Sequence, residues 1–212
     1  MTLVADPNDK TLWRAAAPIG TGAHALIVGI SEYPYLSDGS APPAERAREN
    51  GGLGQLEVCA LTAARIFDWL RTAGEIAGAP VASCRLLLSP RATERAEVDR
   101  LTGGNYGATN FTTMRDAIEA WAQDIHGGSG SADDNVALFF FTGHGVEHAS
   151  SQAILASDVL NPRAVNSGAG RAFSVEALTR SVKTYGIDRG LFLIDACRDA
   201  PMVTRLHNLV GV

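Results

Sequence analysis

Two short segments of this 212-residue chain carry side chains that can act as a nucleophile and its base. Residues 139–145 read FFFTGHG and contain His144, and residues 191–198 read LFLIDACR and contain Cys197. A cysteine thiol has an ordinary pKa of about 8.5, and only its thiolate attacks a carbonyl carbon. An imidazole can accept the thiol proton and later return it to a leaving amine. The pair, 53 positions apart (197 minus 144), predicts acyl transfer at a cysteine nucleophile.

The surroundings of both residues predict how they meet. Each apolar run is short enough to be a buried strand, and parallel sheets place functional groups at the carboxyl ends of their strands. His144 and Cys197 are therefore expected at one edge of a sheet. The tetrahedral intermediate of acyl transfer needs fixed hydrogen-bond donors for its oxyanion. Since glycine lets the backbone approach closely, the N–H groups of Gly145 and Cys197 are the predicted oxyanion donors.

The rest of the chain predicts the elements that position this pair. Apolar runs predict strands, and apolar residues at three- and four-residue spacing predict helices between them. The predicted strands cover residues 25–30, 84–88 and 136–142, and a fourth is the apolar run that starts at Leu191 and leads to Cys197. The predicted helices run from Leu56 to about Gly74, from Thr112 or Thr113 to His126, and from Ser174 to about Tyr185. Such alternation predicts an α/β fold, a three-layer sandwich with a mostly parallel central sheet. Residues 37–54 are expected to form a mobile loop, residues 91–110 another loop, and residues 1–22 a lead-in to a domain over 23–212.

The composition excludes several classes of protein. The net charge is −5, the pI is near 5.5 and the basic residues are scattered, so neither nucleic acid nor an anionic membrane is an expected partner. No apolar run approaches the roughly 18 residues of a spanning helix, and the N-terminus lacks the pattern of a secretory signal. The three cysteines form neither an even disulfide set nor a CxxC metal pair. A reducing, cytoplasmic setting is therefore predicted, without a metal or other cofactor.

The two motifs together resemble those of the caspase-like cysteine peptidases, a group that includes caspases, metacaspases and related bacterial enzymes. The shared features are a histidine-glycine pair after an apolar strand and an Ala-Cys-Arg triplet about 50 residues downstream. The resemblance extends from residue 24 to residue 200 and includes the strand at 26–30 and the helix at 56–70. It implies a caspase-like fold and a cysteine endopeptidase with a dyad of His144 and Cys197. The alanine-, glycine- and arginine-rich composition favours a bacterial source.

The residue two positions before the nucleophile separates this chain from the caspases. Caspases carry glutamine there and glycine two positions after the cysteine, whereas this chain carries Asp195 and Asp199. An aspartate at the first position resembles the metacaspase pattern, in which it lines the pocket for the residue before the cut. Because a carboxylate in that pocket pairs with a basic side chain, the resemblance implies cleavage after Arg or Lys. Metacaspase-like chains also tend to carry Asn-Asp where this one has Leu61-Thr62, and some use calcium, although this sequence has no EF-hand-type loop.

The segment after Cys197 is short. In caspase-like folds further strands and a pocket wall follow the nucleophile, but only about 15 residues follow it here. The chain is therefore expected to be the large-subunit portion of a longer precursor. The expected partners are a protein or peptide substrate, and with it a C-terminal small-subunit segment of the same precursor or an activating protein. An intact-mass measurement on the full gene product tests this expectation, which fails if translation stops at Val212.

Other interpretations of the same residues stay open at this point. The whole chain can be a catalytically silent caspase-like module that binds a partner through its loops. Cys197 can be a small core residue and His144 a turn residue, and His148 is the local competitor for the role of base. Asp195 can simply cap a backbone N–H.

The remaining chemically competent residues are predicted to be mainly structural. Cys59 and Cys84 are expected in the core. Turn or solvent positions are expected for Asp158 and Asp199, whereas Glu32 and Asp38 are candidates for a second carboxylate in the pocket. Surface or loop positions are expected for the remaining histidines apart from His148: His24, His126 and His207.

Overall fold

The computed structural model describes residues 2–50, 52–127, 134–148, 151–163, 171–184 and 187–197. Its strands are β1 (Leu3–Ala5), β2 (Leu12–Ala15), β3 (Ala23–Ile30), β4 (Glu75–Ile76), β5 (Ala79–Ser89), β6 (Val136–Gly143), β7 (Gly145–His148), β8 (Ser151–Leu155), β9 (Ala172–Ser174) and β10 (Gly190–Ala196). Its α-helices are α1 (Cys59–Ala73), α2 (Ala92–Thr102), α3 (Phe111–His126) and α4 (Val175–Thr184), and a 3-10 turn covers Pro43–Glu45.

The central sheet has the strand order β1-β2-β5-β3-β6-β10, with β4 paired to β5. Strands β5, β3, β6 and β10 run parallel to one another, and β1, β2 and β4 pair antiparallel. A second, antiparallel sheet contains β7, β8 and β9. This arrangement confirms the predicted α/β fold with a mostly parallel sheet.

Helices cover both faces of the central sheet. Helices α1 and α2 pack on the face that carries Ile27 and Phe140, and α3 and α4 pack on the face that carries Val28 and Phe141. Strands β3 and β6 are buried on both faces, which explains why they read as continuous apolar runs rather than as alternating ones. Among the residues that the structure describes, no helix combines the length and the apolar character needed to cross a membrane.

Glycine at position 29 lets α1 lie directly on β3. A Cβ at Gly29 would collide with the side chain of Ala63 and would lie 2.8 Å from the carbonyl oxygen of Cys59. Since Gly29 pairs with Thr142 on β6, the close approach brings the first residue of α1 above the carboxyl ends of β3 and β6. The helix thereby delivers Cys59 to the edge of the sheet at which β6 ends.

The segment between β3 and α1, residues 31–50 and 52–56, is called the strap from here on. Its glycine and proline content predicts a mobile loop, but side-chain hydrogen bonds brace it. The Ser37 N–H donates to Asn50 Oδ1 (2.9 Å), and Asn50 Nδ2 donates to Ser37 Oγ (2.7 Å). Gln55 likewise forms two hydrogen bonds with one residue: its Oε1 accepts the Tyr33 N–H, and its Nε2 donates to the Tyr33 carbonyl. Composition alone does not reveal such amide bridges, because they join residues far apart in the loop.

Residues 91–110 were expected to form a loop, and this prediction is wrong because α2 occupies most of the segment. Glu94 accepts a hydrogen bond from the Arg91 N–H (3.1 Å) and so caps the helix. The same carboxylate accepts the Leu61 N–H of α1 (3.2 Å), although a glutamate ordinarily faces solvent. Only Val98 and Leu101 supply large buried apolar side chains, so the helical periodicity is weak.

The N-terminal residues also differ from the predicted lead-in, because β1 and β2 form a hairpin that extends the sheet beyond β5. Trp13 of β2 packs on Phe67 of α1 with ring centroids 4.8 Å apart. The buried Arg85 of β5 donates to Asp9 in the hairpin (2.9 Å) and to Asp124 of α3 (2.7 Å). Strands of three and four residues are too short to show the alternation that predicts a strand.

The helix caps agree with the sequence at α4 and differ at α3. Ser174 caps α4 as predicted, since its Oγ accepts the Ala177 N–H (3.2 Å). Helix α3 begins earlier than expected: Asn110, not Thr112 or Thr113, is its cap, and Asn110 Oδ1 accepts the Thr113 N–H (3.0 Å). Asparagine is as good a cap as threonine, so the sequence offers several starting points within four residues.

Asp158 also acts at the start of α3. Its carboxylate accepts the Phe111 N–H (2.8 Å) and pairs with Arg171 (3.0 Å). Asp158 lies in a turn, as predicted. Its carboxylate in addition joins this turn, which follows β8, to the first residue of α3.

Candidate active site

The two predicted catalytic residues leave neighbouring strands at the same edge of the sheet. In the parallel pair β6 and β10, Asp195 lies opposite Thr142 and Ala196 lies opposite Gly143. His144 and Cys197 are the next residues of the two strands. Since adjacent strands are about 4.8 Å apart, this register places His144 and Cys197 side by side at the ends of neighbouring strands.

Gly145 packs against the end of β10. A Cβ at this position would lie 2.7 Å from the Cys197 carbonyl oxygen and 2.9 Å from the Ala196 Cβ. Both distances are shorter than side chains tolerate, so the segment after His144 can approach Cys197 only with glycine at position 145. The contact brings the backbone of residue 145 close to Cys197, and the predicted role of the Gly145 N–H as an oxyanion donor stays a prediction.

If the pair cleaves peptides after Arg or Lys, as the resemblance implies, Gly145→Ala should reduce that hydrolysis by about 100-fold, because the added methyl group pushes the His144 segment away from Cys197 and small displacements of reacting groups are costly. The measurement is kcat/KM on an arginyl peptide, together with the melting temperature. Gly127→Ala, at the far end of α3, is the matched control and should retain activity. Wild-type kcat/KM in Gly145→Ala would contradict the close packing at this position.

His144 is buried, with 6% of its surface exposed, and two groups of the strap hold it. Its ring Nε2 lies 2.7 Å from the Gly54 carbonyl oxygen, and its backbone N–H donates to the Tyr33 hydroxyl (2.7 Å). The Tyr33 ring lies against the imidazole with centroids 4.7 Å apart. Because a carbonyl oxygen can only accept, the neutral imidazole carries its proton on Nε2. Nδ1 is then the atom that can accept the proton of a thiol.

Asp195 is exposed and lies on the same face of β10 as Cys197, because side chains two residues apart in a strand point to one face. Its Oδ2 accepts a hydrogen bond from the Thr142 hydroxyl (3.1 Å). This partner is a side chain, not the backbone N–H of the capping alternative. The carboxylate is thus held near Cys197 and is open to solvent.

Cys59 lies beside this pair and not in the core, so its predicted location is wrong. The residue is only partly buried, and its thiol lies close enough to Thr142, Asp195 and Cys197 for these groups to influence its pKa. The pKa of the Cys59 thiol is raised, mainly because the thiol is partly buried. Cys84, by contrast, is buried on β5 as predicted, and burial raises the pKa of its thiol as well.

Two acidic residues of the strap have structural partners. Glu32 Oε1 accepts the Ser40 N–H (3.1 Å), and Asp38 Oδ2 accepts the Gln55 N–H (3.3 Å). Both carboxylates therefore brace the strap, and neither is directed to the nucleophile by these bonds.

The histidines outside the dyad take different positions. His24 is buried on β3, with its Nδ1 2.8 Å from Ser83 Oγ, so its predicted surface location is wrong. Burial lowers the pKa of His24. His126 is exposed at the end of α3, as predicted. His148 belongs to β7, but its side chain lies outside the described part of the structure.

Several predicted positions fall outside the described residues: Arg198, Asp199, His207 and the rest of the segment after Cys197. Across the described ranges, no group of three or more His, Cys, Asp or Glu side chains is arranged to hold a metal ion.

Sequence reasoning missed the residues of the strap that hold His144. Tyr33 precedes His144 by 111 positions, and Gly54 precedes it by 90. No motif links residues at these separations, and a glycine that acts through its carbonyl oxygen has no side-chain signature. The one local signal is a tyrosine three residues after the end of an apolar strand.

Comparisons with known proteins agree with this arrangement. A family model described as a caspase domain matches residues 23–208, a range that includes His144, Cys197 and all strands from β3 to β10. A search of curated protein sequences finds no match to the chain. The strand order and the helices on both faces of the sheet are consistent with the family match. The chain belongs to the caspase-domain family of cysteine peptidases.

Proposed function

We propose that this chain is a cysteine endopeptidase that uses His144 and Cys197 as a dyad and cleaves after Arg or Lys. The observation that carries the proposal is the register of β6 and β10, which brings the imidazole-bearing and thiol-bearing residues to adjacent strand ends. The packing of Gly145 on the Cys197 carbonyl supports the same pairing.

The proposed reaction has two halves. In the first, His144 Nδ1 accepts the Cys197 proton while Sγ forms a bond to the peptide carbonyl carbon. The N–H groups of Gly145 and Cys197 donate to the resulting oxyanion. The tetrahedral intermediate then collapses: the C–N bond breaks, His144 returns the proton to the leaving amine, and a thioester remains.

In the second half, water replaces the amine. His144 accepts a proton from that water, the new C–O bond forms, and the C–S bond breaks to release the acid and restore the thiol. The Gly54 carbonyl supports both halves, because a hydrogen bond from Nε2–H stabilises the positive charge that the imidazole gains. Thiol, imidazole and backbone amides supply all the groups that the proposed steps use, so no cofactor enters the scheme.

The proposed preference for a basic residue rests on Asp195. Its carboxylate is exposed on the face that carries Cys197, and Thr142 holds one of its oxygens. A guanidinium or ammonium group of the substrate can pair with the other oxygen. The attraction between the two charged groups would be stronger there than in water, because a bound peptide removes solvent from the pair.

We also propose that a further polypeptide segment covers β10, either a small-subunit segment of the same precursor or an activating protein. Within the described residues β10 pairs only with β6. Leu191 and Leu193, on the face over which α1 lies, are each 44% exposed. An apolar strand face of this kind is ordinarily covered. A reducing, cytoplasmic setting in a bacterial cell is proposed as well, since it keeps Cys197 a free thiol.

A peptide chloromethyl ketone that ends in arginine tests the proposed function. It should alkylate Cys197 at a rate that saturates with reagent concentration, because the arginyl group binds before the thiol reacts. The same reagent with citrulline in place of arginine is the matched control, since it differs by one charge, and should react at least about 10-fold more slowly. Equal, non-saturating rates for both reagents would instead indicate the silent binding module.

A further inference from the structure

We propose that Tyr33 and Gln55 are positioning residues that hold His144 in its reactive orientation, by a closed ring of hydrogen bonds through the strap. The inference rests on the proposed role of His144 as the base. It adds two residues to the site, neither of which touches the reacting atoms.

Tyr33 holds the backbone of the histidine. It is fully buried, its hydroxyl oxygen accepts the His144 N–H at 2.7 Å, and its ring packs against the imidazole. A Cβ at Gly143 would lie 2.8 Å from the same oxygen, so the end of β6 rests directly on the hydroxyl group. Burial raises the pKa of Tyr33, and the hydroxyl therefore stays neutral at physiological pH.

Gln55 holds Tyr33 and Gly54 in one frame. Its Oε1 accepts the Tyr33 N–H (2.7 Å), and its Nε2 donates to the Tyr33 carbonyl (2.9 Å), so both main-chain polar groups of the tyrosine are satisfied by one side chain. Gly54 is the preceding residue, and its carbonyl accepts the ring Nε2–H of His144. The two ends of the strap are thus joined to each other and to the histidine.

The ring of contacts fixes two features of the imidazole at once. Tyr33 sets the position of its backbone, and Gly54 sets the rotation of the ring and the nitrogen that carries the proton. Without the tyrosine hydroxyl, the His144 N–H would lose its acceptor in a buried place. Without Gln55, the Gly54 carbonyl could move relative to Tyr33. Either loss should misplace the base, and a displacement of about 1 Å can cost about 100-fold in rate.

The test compares Tyr33→Phe and Gln55→Ala with the wild-type chain. The matched control is Tyr106→Phe, which removes a tyrosine hydroxyl whose hydrogen bond goes to Asp99 (2.9 Å), away from His144. Two activities are measured: kcat and KM on an arginyl peptide, and the second-order rate of Cys197 alkylation by iodoacetamide at pH 7, followed by mass spectrometry of the Cys197 peptide. Melting temperatures of all variants report on folding.

Both positioning variants should lose about 10-fold in kcat with KM changed less than about twofold, and Cys197 should be alkylated about 10-fold more slowly. Tyr106→Phe should match the wild type in both activities. A fall in melting temperature with wild-type kcat and alkylation rates would overturn the proposal, because Tyr33 and Gln55 would then be merely structural. If Tyr33→Phe fails to fold, Gln55→Ala decides alone, since it leaves the buried ring in place.

The alkylation assay separates this proposal from the proposed function. Iodoacetamide needs no substrate pocket, so it reports on the His144–Cys197 pair even if no peptide is cleaved. Absence of peptide cleavage by the wild type, together with slower alkylation in the two variants, would support the positioning role and contradict the peptidase. Equal alkylation of the wild type and both variants would contradict the positioning role, whatever the peptide assay shows.

Discussion

Replacement of Cys197 by alanine should lower kcat for an arginyl peptide by at least about 1,000-fold, because the variant has no atom that can form the thioester. The side chain is exposed at the end of β10, so its loss should change the free energy of unfolding by no more than about 0.5 kcal/mol. The measurement is steady-state hydrolysis of the peptide, with circular dichroism and thermal unfolding as evidence that the fold is intact.

Cys59→Ala is the sharpest control for this experiment. It removes a second thiol that lies beside Thr142, near Asp195 and Cys197, and it should cause a much smaller loss. Because burial raises the pKa of the Cys59 thiol, only a small fraction of Cys59 is in the thiolate form at neutral pH. If Cys59→Ala abolished hydrolysis and Cys197→Ala retained it, the nucleophile would be the residue on α1 and the proposed dyad would be wrong.

Asp195→Asn should lower kcat/KM for an arginyl peptide by about 10- to 100-fold, the range expected when a hydrogen bond to a charged group is lost. The amide has the shape of the carboxylate, and its oxygen can still accept the Thr142 hydroxyl, so the local structure should be preserved. A lysyl peptide should suffer a similar loss, since the variant removes the charge that attracts either side chain.

A peptide with citrulline in place of arginine turns this variant into a double-mutant cycle. The wild type should prefer arginine strongly, whereas Asp195→Asn should show little preference, because citrulline has the shape of arginine without its charge. Equal losses on both peptides would mean that Asp195 acts on the fold or the nucleophile and not on the substrate. Efficient cleavage after aspartate by the wild type would overturn the basic preference while leaving the dyad in place.

Much of the fold could be predicted because its signals are local. The continuous apolar runs of β3 and β6 predict strands that are buried on both faces, and the periodic apolar residues of α1 and α3 predict helices that cover them. Helix α2 was missed because its capping carboxylate, Glu94, is buried against α1, a contact that no local pattern reveals.

The candidate site likewise has a part that local sequence patterns predict and a part that they do not. The sequence alone predicted His144, Gly145, Cys197 and Asp195 as site residues, since each stands in a short motif at the end of an apolar strand and its chemistry follows from its type. Only the tertiary structure decided that β6 and β10 are neighbours in register and that the side chain of Cys59 lies near Asp195 and Cys197. It also decided what holds His144: Tyr33 and Gly54 of the strap bind the histidine directly, and Gln55 binds Tyr33. Such contacts arise from the path of the backbone between distant residues, and that path is set by packing of the whole domain and not by any local pattern of side chains.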